Sequence, residues 1–342
     1  MIGDAEDFLG VLLDQDRRHA FVTDDAAQRR EQFLDDDGRQ PFQRFVEKHH
    51  LRIENKRAAD RKHLLLAAGQ LVAEIVSPLI EARKQRVDFL VRPAAGAGDR
   101  LLALYSPDAR PAGRDELLAA ASRNEEAASA GLRDALRALR PQARWLEEEN
   151  ETGPLPDGEW WVVDDAEGSV NHVHGLPEWG VSITLVVDGV PSLGVFRQPV
   201  ADLTYTALRG HGAYAGGRRL AASRKSGLEL AVVGTGQAEA GQAGTYDRIG
   251  RSVTALLGQA FLVRVTVPST FPLLLVAGGH TDAFWQYEPV LPGIALGILL
   301  ATEAGATVSA ADGTPWTPAA DTVLAAAPGV HAAMARALRE VG

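Results

Sequence analysis

The sixteen residues Trp160 to Gly175, WWVVDDAEGSVNHVHG, constrain the fold more than any other part of the chain. Trp160 to Val163 is a bulky apolar run that stops abruptly, the pattern of a buried strand ending at a turn. Two carboxylates, Asp164 and Glu167, stand three positions apart where that strand is expected to stop, and Gly168-Ser169 follows at once. Carboxylates at a strand end can share a hard cation such as Mg²⁺, which takes oxygen ligands. A glycine lets backbone approach an anion closely, and a hydroxyl can donate to a phosphate oxygen.

The stretch resembles the signature of the inositol monophosphatase family, Mg²⁺-dependent and lithium-sensitive sugar-phosphate phosphatases, which reads W-[VI]-[VI]-D-P-[IL]-D-G-T-x-N-F-x-H-G. Trp161, Asp164, Gly168, Asn171, His174 and Gly175 match it. Asp165 replaces the proline, Glu167 the second aspartate, Ser169 the threonine and His172 the phenylalanine. Carboxylate and hydroxyl chemistry survive the middle two exchanges.

Composition agrees with a soluble globular chain. The 342 residues are 46% hydrophobic and 23% charged, enough for a sizeable core and more than one domain. A net charge of −10 argues against a nucleic-acid surface. Without cysteine there is no disulfide framework, thiolate metal site or cysteine nucleophile. No apolar run is long enough to span a bilayer, and the acidic start lacks a signal peptide's basic residues, so a cytoplasmic location is expected.

Residues 1 to about 60 are dense in charge and read as short helices or disorder; His49-His50 there reads as a solvated pair, with no partners spaced to close a metal site. A helix is expected from about Leu64 to Arg83, kinked at Pro78. The family's T-x-x-D is missing between Gln85 and Gly113, so residues 1–110 read as a lineage-specific extension or a start codon set too far upstream. Arg114 to Leu139 has the spacing of an amphipathic helix or helix pair, ended by Pro141. The acidic run Glu147 to Glu151 has two readings, a solvated loop or the family's Glu-Glu pair, the second placing a metal ligand at Glu148.

Beyond the signature a meander is expected: a strand over Trp179 to Val187, a hairpin turn at Asp188-Gly189, a returning strand over Leu193 to Phe196, then Leu203 to Ala207 and a tight turn at Gly216-Gly217. His211 reads as a turn residue. Val233-Gly234-Thr235-Gly236 is too little for a dinucleotide loop, because the third glycine is misplaced and no acidic ribose-binding residue follows. It reads as the first strand of the second half. Arg264 to Thr270 lies where the family has R-x-x-G-S-A-A, with Val267 in the glycine's place. His280 to Trp285 matches a family strand, and Ile298 to Ala306 the tail of a family helix. Counting back puts Gly293 at the family's metal-binding aspartate and Gln286 at its substrate-binding glutamate; Glu288 is the nearest remaining carboxylate. A turn at Asp312 to Thr314, a strand over Val323 to Ala325 and a closing helix from His331 to Val341 complete the chain.

The resemblance implies an α+β fold of five layers, α-β-α-β-α, with the metal motif in 111–225 and an α/β half in 226–342. It implies a first Mg²⁺ on Glu148, Asp164 and the Ala166 carbonyl, and a weakened second on Asp164 and Glu167. It further implies a catalytic set of Glu148, Asp164 and Ser169, phosphate binding at Gly168 and Ser169, and substrate contacts at Gln286 and Glu288. The partner would be a small phosphorylated metabolite, and family members are commonly homodimers. Three functions stay open: hydrolysis of a small phosphate monoester, a non-catalytic binding or regulatory protein, or different chemistry using His172, His174 or Glu288.

Overall fold

The structure is a computed structural model that describes residues 87–146, 155–238 and 242–341. The expected Leu64–Arg83 helix, the His49-His50 pair, and Glu148 with Glu149 lie outside the described residues. The chain divides into Met1–Lys84 and a second compact unit, Gln85–Gly342, which holds everything below.

Helix α1 spans 87–104 and is followed by α2 (Arg114–Ser129) and α3 (Leu132–Leu139). The expected helix or pair is thus a pair, parted at Gly131, whose φ of 70° suits glycine. The buried positions are Asn124, Ala128, Leu132 and Leu136, while Leu118 and Leu139 face solvent. One antiparallel run then builds most of a seven-stranded sheet: β1 (Arg144–Trp145), β2 (Glu159–Glu167), β3 (Gly180–Val187), β4 (Val190–Gln198), β5 (Leu203–Leu208), β6 (Ala213–Ala215) and β7 (Arg218–Arg219), in sequence order. Only β1 pairs parallel, on β2. The short helix α4 (Ser169–Val173) interrupts the run between β2 and β3.

The second sheet has five strands in the order β11-β12-β10-β8-β9. They are β8 (Val232–Thr235), β9 (Leu262–Val265), β10 (Ala283–Tyr287), β11 (Thr307–Ser309) and β12 (Thr322–Ala326). Helices α5 (Ala243–Leu257), α6 (Thr270–Ala277), α7 (Leu291–Glu303) and α8 (Pro328–Arg339) alternate with them.

The packing gives five layers. Leu90, Ala94 and Leu101 of α1 and Leu132 and Leu136 of α3 cover one face of the first sheet through Trp161, Val181, Ile183 and Val195. The other face meets α6 and α7 through Phe196 and Ala207 against Leu274, Leu296 and Leu300. Leu273 of α6 and Ile294 and Ile298 of α7 turn the opposite way, onto Phe284, Val323 and Ala325 of the second sheet. Leu256 of α5 with Val330 and Met334 of α8 closes that sheet's far face over Trp285 and Leu324. Between two sheets α7 has no water-facing side, which is why Ile294 to Ala301 is an unbroken buried apolar and glycine run. Each of its large side chains contributes roughly 1.5–3 kcal/mol by burial. The expected α-β-α-β-α arrangement is the observed one. Among the described residues, no helix is long and apolar enough to cross a membrane.

Candidate active site

Strand β2 does not stop at Val163, as its apolar run suggests. Pairing with β3 continues from Asp164↔Ser182 to Glu167↔Gly180, with a register shift between them. Three steps along β2 match two along β3, so β2 carries one extra residue, a β-bulge. Without the bulge, residues three apart would face opposite sides of the sheet. With it, Asp164 and Glu167 share a face and their side chains are in hydrogen-bond contact.

Glu167 is buried, whereas Asp164 keeps a partly exposed edge. Asp164 Oδ1 accepts the Ala166 backbone N–H at 3.1 Å. Burial pushes the Asp164 carboxyl above the ordinary carboxylate range, against the Glu167 and Ala166 hydrogen bonds that favour its charged form. Two adjoining carboxylates short of water repel one another, and a cation or a shared proton relieves that repulsion.

The chain then turns at Gly168, with φ of 80°. A Cβ there would lie 2.6 Å from the Glu178 carbonyl oxygen and 3.1 Å from Trp179 Cα, so conformation and space both demand glycine. Ser169 Oγ, buried, has no hydrogen-bond partner, and the same holds for Ser182 Oγ opposite Asp164 in the register. Ser182 escapes sequence reading, since only the β2–β3 register places it beside Asp164.

The second sheet reaches this corner through the connection from β9 to α6. Asn171 Nδ2 donates to the carbonyls of Glu178 and Val267, each at 2.9 Å, and Pro268 Cγ sits 3.1 Å from where a Gly168 Cβ would be. Ser269 Oγ and Gln286 Oε1 lie 3.2 and 3.4 Å from the corresponding point at Gly236. Gln286 is buried, with its Oε1 unpartnered. Thr270 Oγ1 donates to the Gly293 carbonyl at 2.9 Å, joining the starts of α6 and α7. Leu291 and Ala295 of α7 pack on Val162 and Val186, just upstream of Asp164 along β2. Signature, Val267–Thr270, Gln286 and Gly293 therefore converge.

Glu288 stands apart in character: it is exposed, with φ of 47°, and its backbone N–H donates to Asp321. Among the described residues no three His, Cys, Asp or Glu side chains gather into a metal cluster. His172 is 3% exposed and its ring lies between Tyr105 and Trp179, at centroid distances of 5.5 and 4.6 Å. Its Nε2 is 2.9 Å from the Leu101 carbonyl and its Nδ1 2.9 Å from Asn124 Nδ2. The neutral tautomer with the proton on Nε2 satisfies both partners, and burial lowers the pKa. His174 Nδ1 bonds the Val170 carbonyl at 2.7 Å. His211 is in a turn, its N–H bonded to Leu208 O.

A family model described as the inositol monophosphatase family matches residues 83–342. The chain belongs to this family. The match starts ahead of α1, so the family's part of the chain, like the compact unit from Gln85, includes residues that the missing T-x-x-D assigned to an extension ending near 110. An inositol-1-monophosphatase of Rhizobium meliloti is 33% identical over 183 residues, 53% of this chain and 68% of that protein. A Nus factor SuhB of Pseudomonas aeruginosa is 37% identical over 150 residues, 44% of this chain and 55% of that protein. The inositol monophosphatase structure from Anabaena superposes with a TM-score of 0.62 at 26% identity, covering 76% of this chain and 97% of the other. Position 293, where the resemblance to the inositol monophosphatase family leads one to expect an aspartate, has a clear geometry. A Cβ on Gly293 would meet only Val290 Cγ2, at 3.6 Å, so there is room for a side chain that the sequence omits.

Proposed function

We propose that the chain is a Mg²⁺-dependent phosphatase that hydrolyses a small phosphate monoester, of a sugar, an inositol or a nucleotide. The observation that carries this reading is the bulge of β2, which sets Asp164 and Glu167 side by side and leads into Gly168 and the unpartnered Ser169 hydroxyl. The donor set fits Mg²⁺: two adjoining carboxylates and the Ala166 carbonyl suit an ion that keeps several waters and takes one or two protein carboxylates. Glu148 would complete the first site. When bound, the ion supplies charge stabilisation for the phosphoryl oxygens and a water of lowered pKa.

The chain's own residues bind and orient. Ser169 Oγ–H and the backbone N–H groups following Gly168 donate to phosphate oxygens. Asp164 would hold the ion, the Ser169 hydroxyl would also position the attacking water, and Gln286 and Glu288 read the organic part of the ester. A cytoplasmic homodimer is the accompanying expectation.

The test is release of inorganic phosphate from inositol 1-phosphate and a panel of sugar and nucleotide monophosphates, with and without Mg²⁺. We expect Mg²⁺-dependent turnover that Asp164→Asn lowers at least about a hundredfold. Full rate in that variant would sink the assignment. A second reading, a binding or regulatory protein with impaired catalysis, is favoured by one observation: Gly293 lacks the family's carboxylate although space for it exists. Gly293→Asp separates the two. On the phosphatase reading it tightens Mg²⁺ and raises an existing rate; activity appearing only in the variant supports the second reading.

A further inference from the structure

Exposed apolar side chains gather at one edge of the second sheet. Strand β9 is the last strand there, paired only to β8 among the described residues. Phe261 at its start is 72% exposed, and Leu262, Val265 and Val267 along it are exposed as well. Leu230 and Leu257 extend the patch. The Phe261 N–H donates to the Ala231 carbonyl, next to Leu230, and Leu257 ends α5 just ahead of Phe261. From Phe261 to Val267 the only charged side chain is Arg264. Natural edge strands are blunted by lysine, proline or a covering loop. Strand β9 has no lysine, and Pro268 comes only after the ladder.

The backbone of this edge is open too. Leu262 and Thr266 point their N–H groups into the sheet, to the Ala231 and Thr235 carbonyls, and Arg264 lies between them in register with Gly234. Neighbouring residues of a strand turn their N–H and C=O groups to opposite sides, so Val263 and Val265 present theirs outward. Val267, next in the outward series, accepts Asn171 Nδ2 at 2.9 Å through its carbonyl. A lipid surface would cover the side chains and leave the Val263 and Val265 N–H groups unpaired, which costs free energy. The net charge of −10 also opposes an acidic membrane. Another strand edge satisfies side chains and backbone together.

We infer that β9 is the docking edge for a second copy of this chain, the strands pairing antiparallel about a two-fold axis at Val263. The inference deepens the expectation of a homodimer by naming its interface. A two-fold axis brings the same surface to both sides, so the edge must complement itself. An axis at Arg264 would set guanidiniums directly opposite one another, which like charges disfavour. An axis at Val265 would draw on the Val267 carbonyl, already turned to Asn171. An axis at Val263 sets Val263 opposite its copy, Phe261 opposite Val265, and Leu262 opposite Arg264, whose aliphatic stem suits an apolar neighbour. Pairing over Phe261 to Val265 ends before Val267 and leaves the Asn171 bond in place.

The test is sedimentation velocity on the full chain at micromolar concentration, with Val265→Lys and, as a control, Leu118→Lys at an exposed position of α2. The expected result is a dimer for the parent and the control, and a dissociation constant raised at least about tenfold in Val265→Lys with an unchanged circular-dichroism spectrum. The chain has no cysteine, so single cysteines report the register. Directly opposed residues of a hydrogen-bonded antiparallel pair have Cα atoms about 5.5 Å apart, within disulfide reach. Val263→Cys should therefore cross-link two copies on mild oxidation, whereas Val265→Cys, offset from its copy by roughly 13 Å, should not. A monomeric parent, a Val265→Lys variant as tightly paired as the parent, or a dimer lost in Leu118→Lys overturns the inference. So does failure of Val263→Cys to cross-link, or preferential cross-linking through Val265→Cys. None of these readouts uses phosphate release, so failure here and failure of the phosphatase reading are told apart.

Discussion

At His172 a single side chain separates what composition can say from what contacts decide. It replaces the family's phenylalanine and looks, in sequence, like a spare catalyst. Its partners, Leu101 and Asn124, are 71 and 48 residues away, and together they make it a neutral core residue. Burial holds its folded pKa below the ordinary histidine value of 6.5, so the unfolded chain takes up the proton first as pH falls. The associated stability is complete above about pH 6.5 and drains as pH drops through the depressed folded value. His331, also lowered by burial, adds to the same trend. We expect His172→Phe to cost roughly 1–3 kcal/mol at pH 7.5, since it orphans the buried Asn124 amide and the Leu101 carbonyl. It should nevertheless lose less further stability between pH 7.5 and pH 5 than the parent does. Denaturant melts at both pH values check this, and equal losses in parent and variant would refute the role given to His172.

At the scale of elements, α7 shows how one helix serves two sheets and a site. Position 297 faces α6 so closely that an added Cβ would lie 2.5 Å from the Leu273 Cβ. Position 293, one turn nearer the site, is open. The same substitution should therefore have opposite signs on one helix. Gly297→Ala is expected to destabilise by about 1–3 kcal/mol through overpacking, outweighing a helix-propensity gain of about 1 kcal/mol. Gly293→Ala keeps that gain and should be neutral or stabilising. Thermal melts of the two variants decide it; a stabilised Gly297→Ala would show that α6 and α7 can move apart freely. At its far end α7 is fastened by Glu303, whose Oε1 and Oε2 accept the Gly210 and Gly212 N–H groups at 2.7 Å each. The glutamate of the helix tail, silent on chemistry, is thus a clasp on the β5–β6 turn.

For the molecule as a whole, the carboxylate corner lies where the first sheet meets the Val267–Thr270 connection of the second half. An ion bound there by the folded chain and not by the unfolded one stabilises every layer together. Linkage sets the size, about 2.7 kcal/mol when free metal exceeds the dissociation constant a hundredfold. Mg²⁺ should accordingly raise the melting temperature of the parent and leave Asp164→Asn unmoved. A parallel rise in both would place the ion elsewhere.

Sequence alone marked many of the elements in order, though neither α1 nor α5 was among them. The apolar runs, the Asp188-Gly189 and Gly216-Gly217 turns and the unbroken apolar stretch before Glu303 are local signals, carried by strand alternation, turn chemistry and complete burial of a helix. The family signature extended that to the five layers and named Asp164, Glu167, Gly168 and Ser169. Tertiary structure decided the rest, because it depends on register and on residues far apart in the chain. The bulge that turns Glu167 toward Asp164 exists only against β3, and Ser182 joins them only through that pairing. The roles of His172 and His174 follow from the hydrogen bonds at their ring nitrogens. Arg133 meets the Trp145 ring only because α3 lies over the sheet edge, a contact that tertiary packing makes between residues apart in the chain.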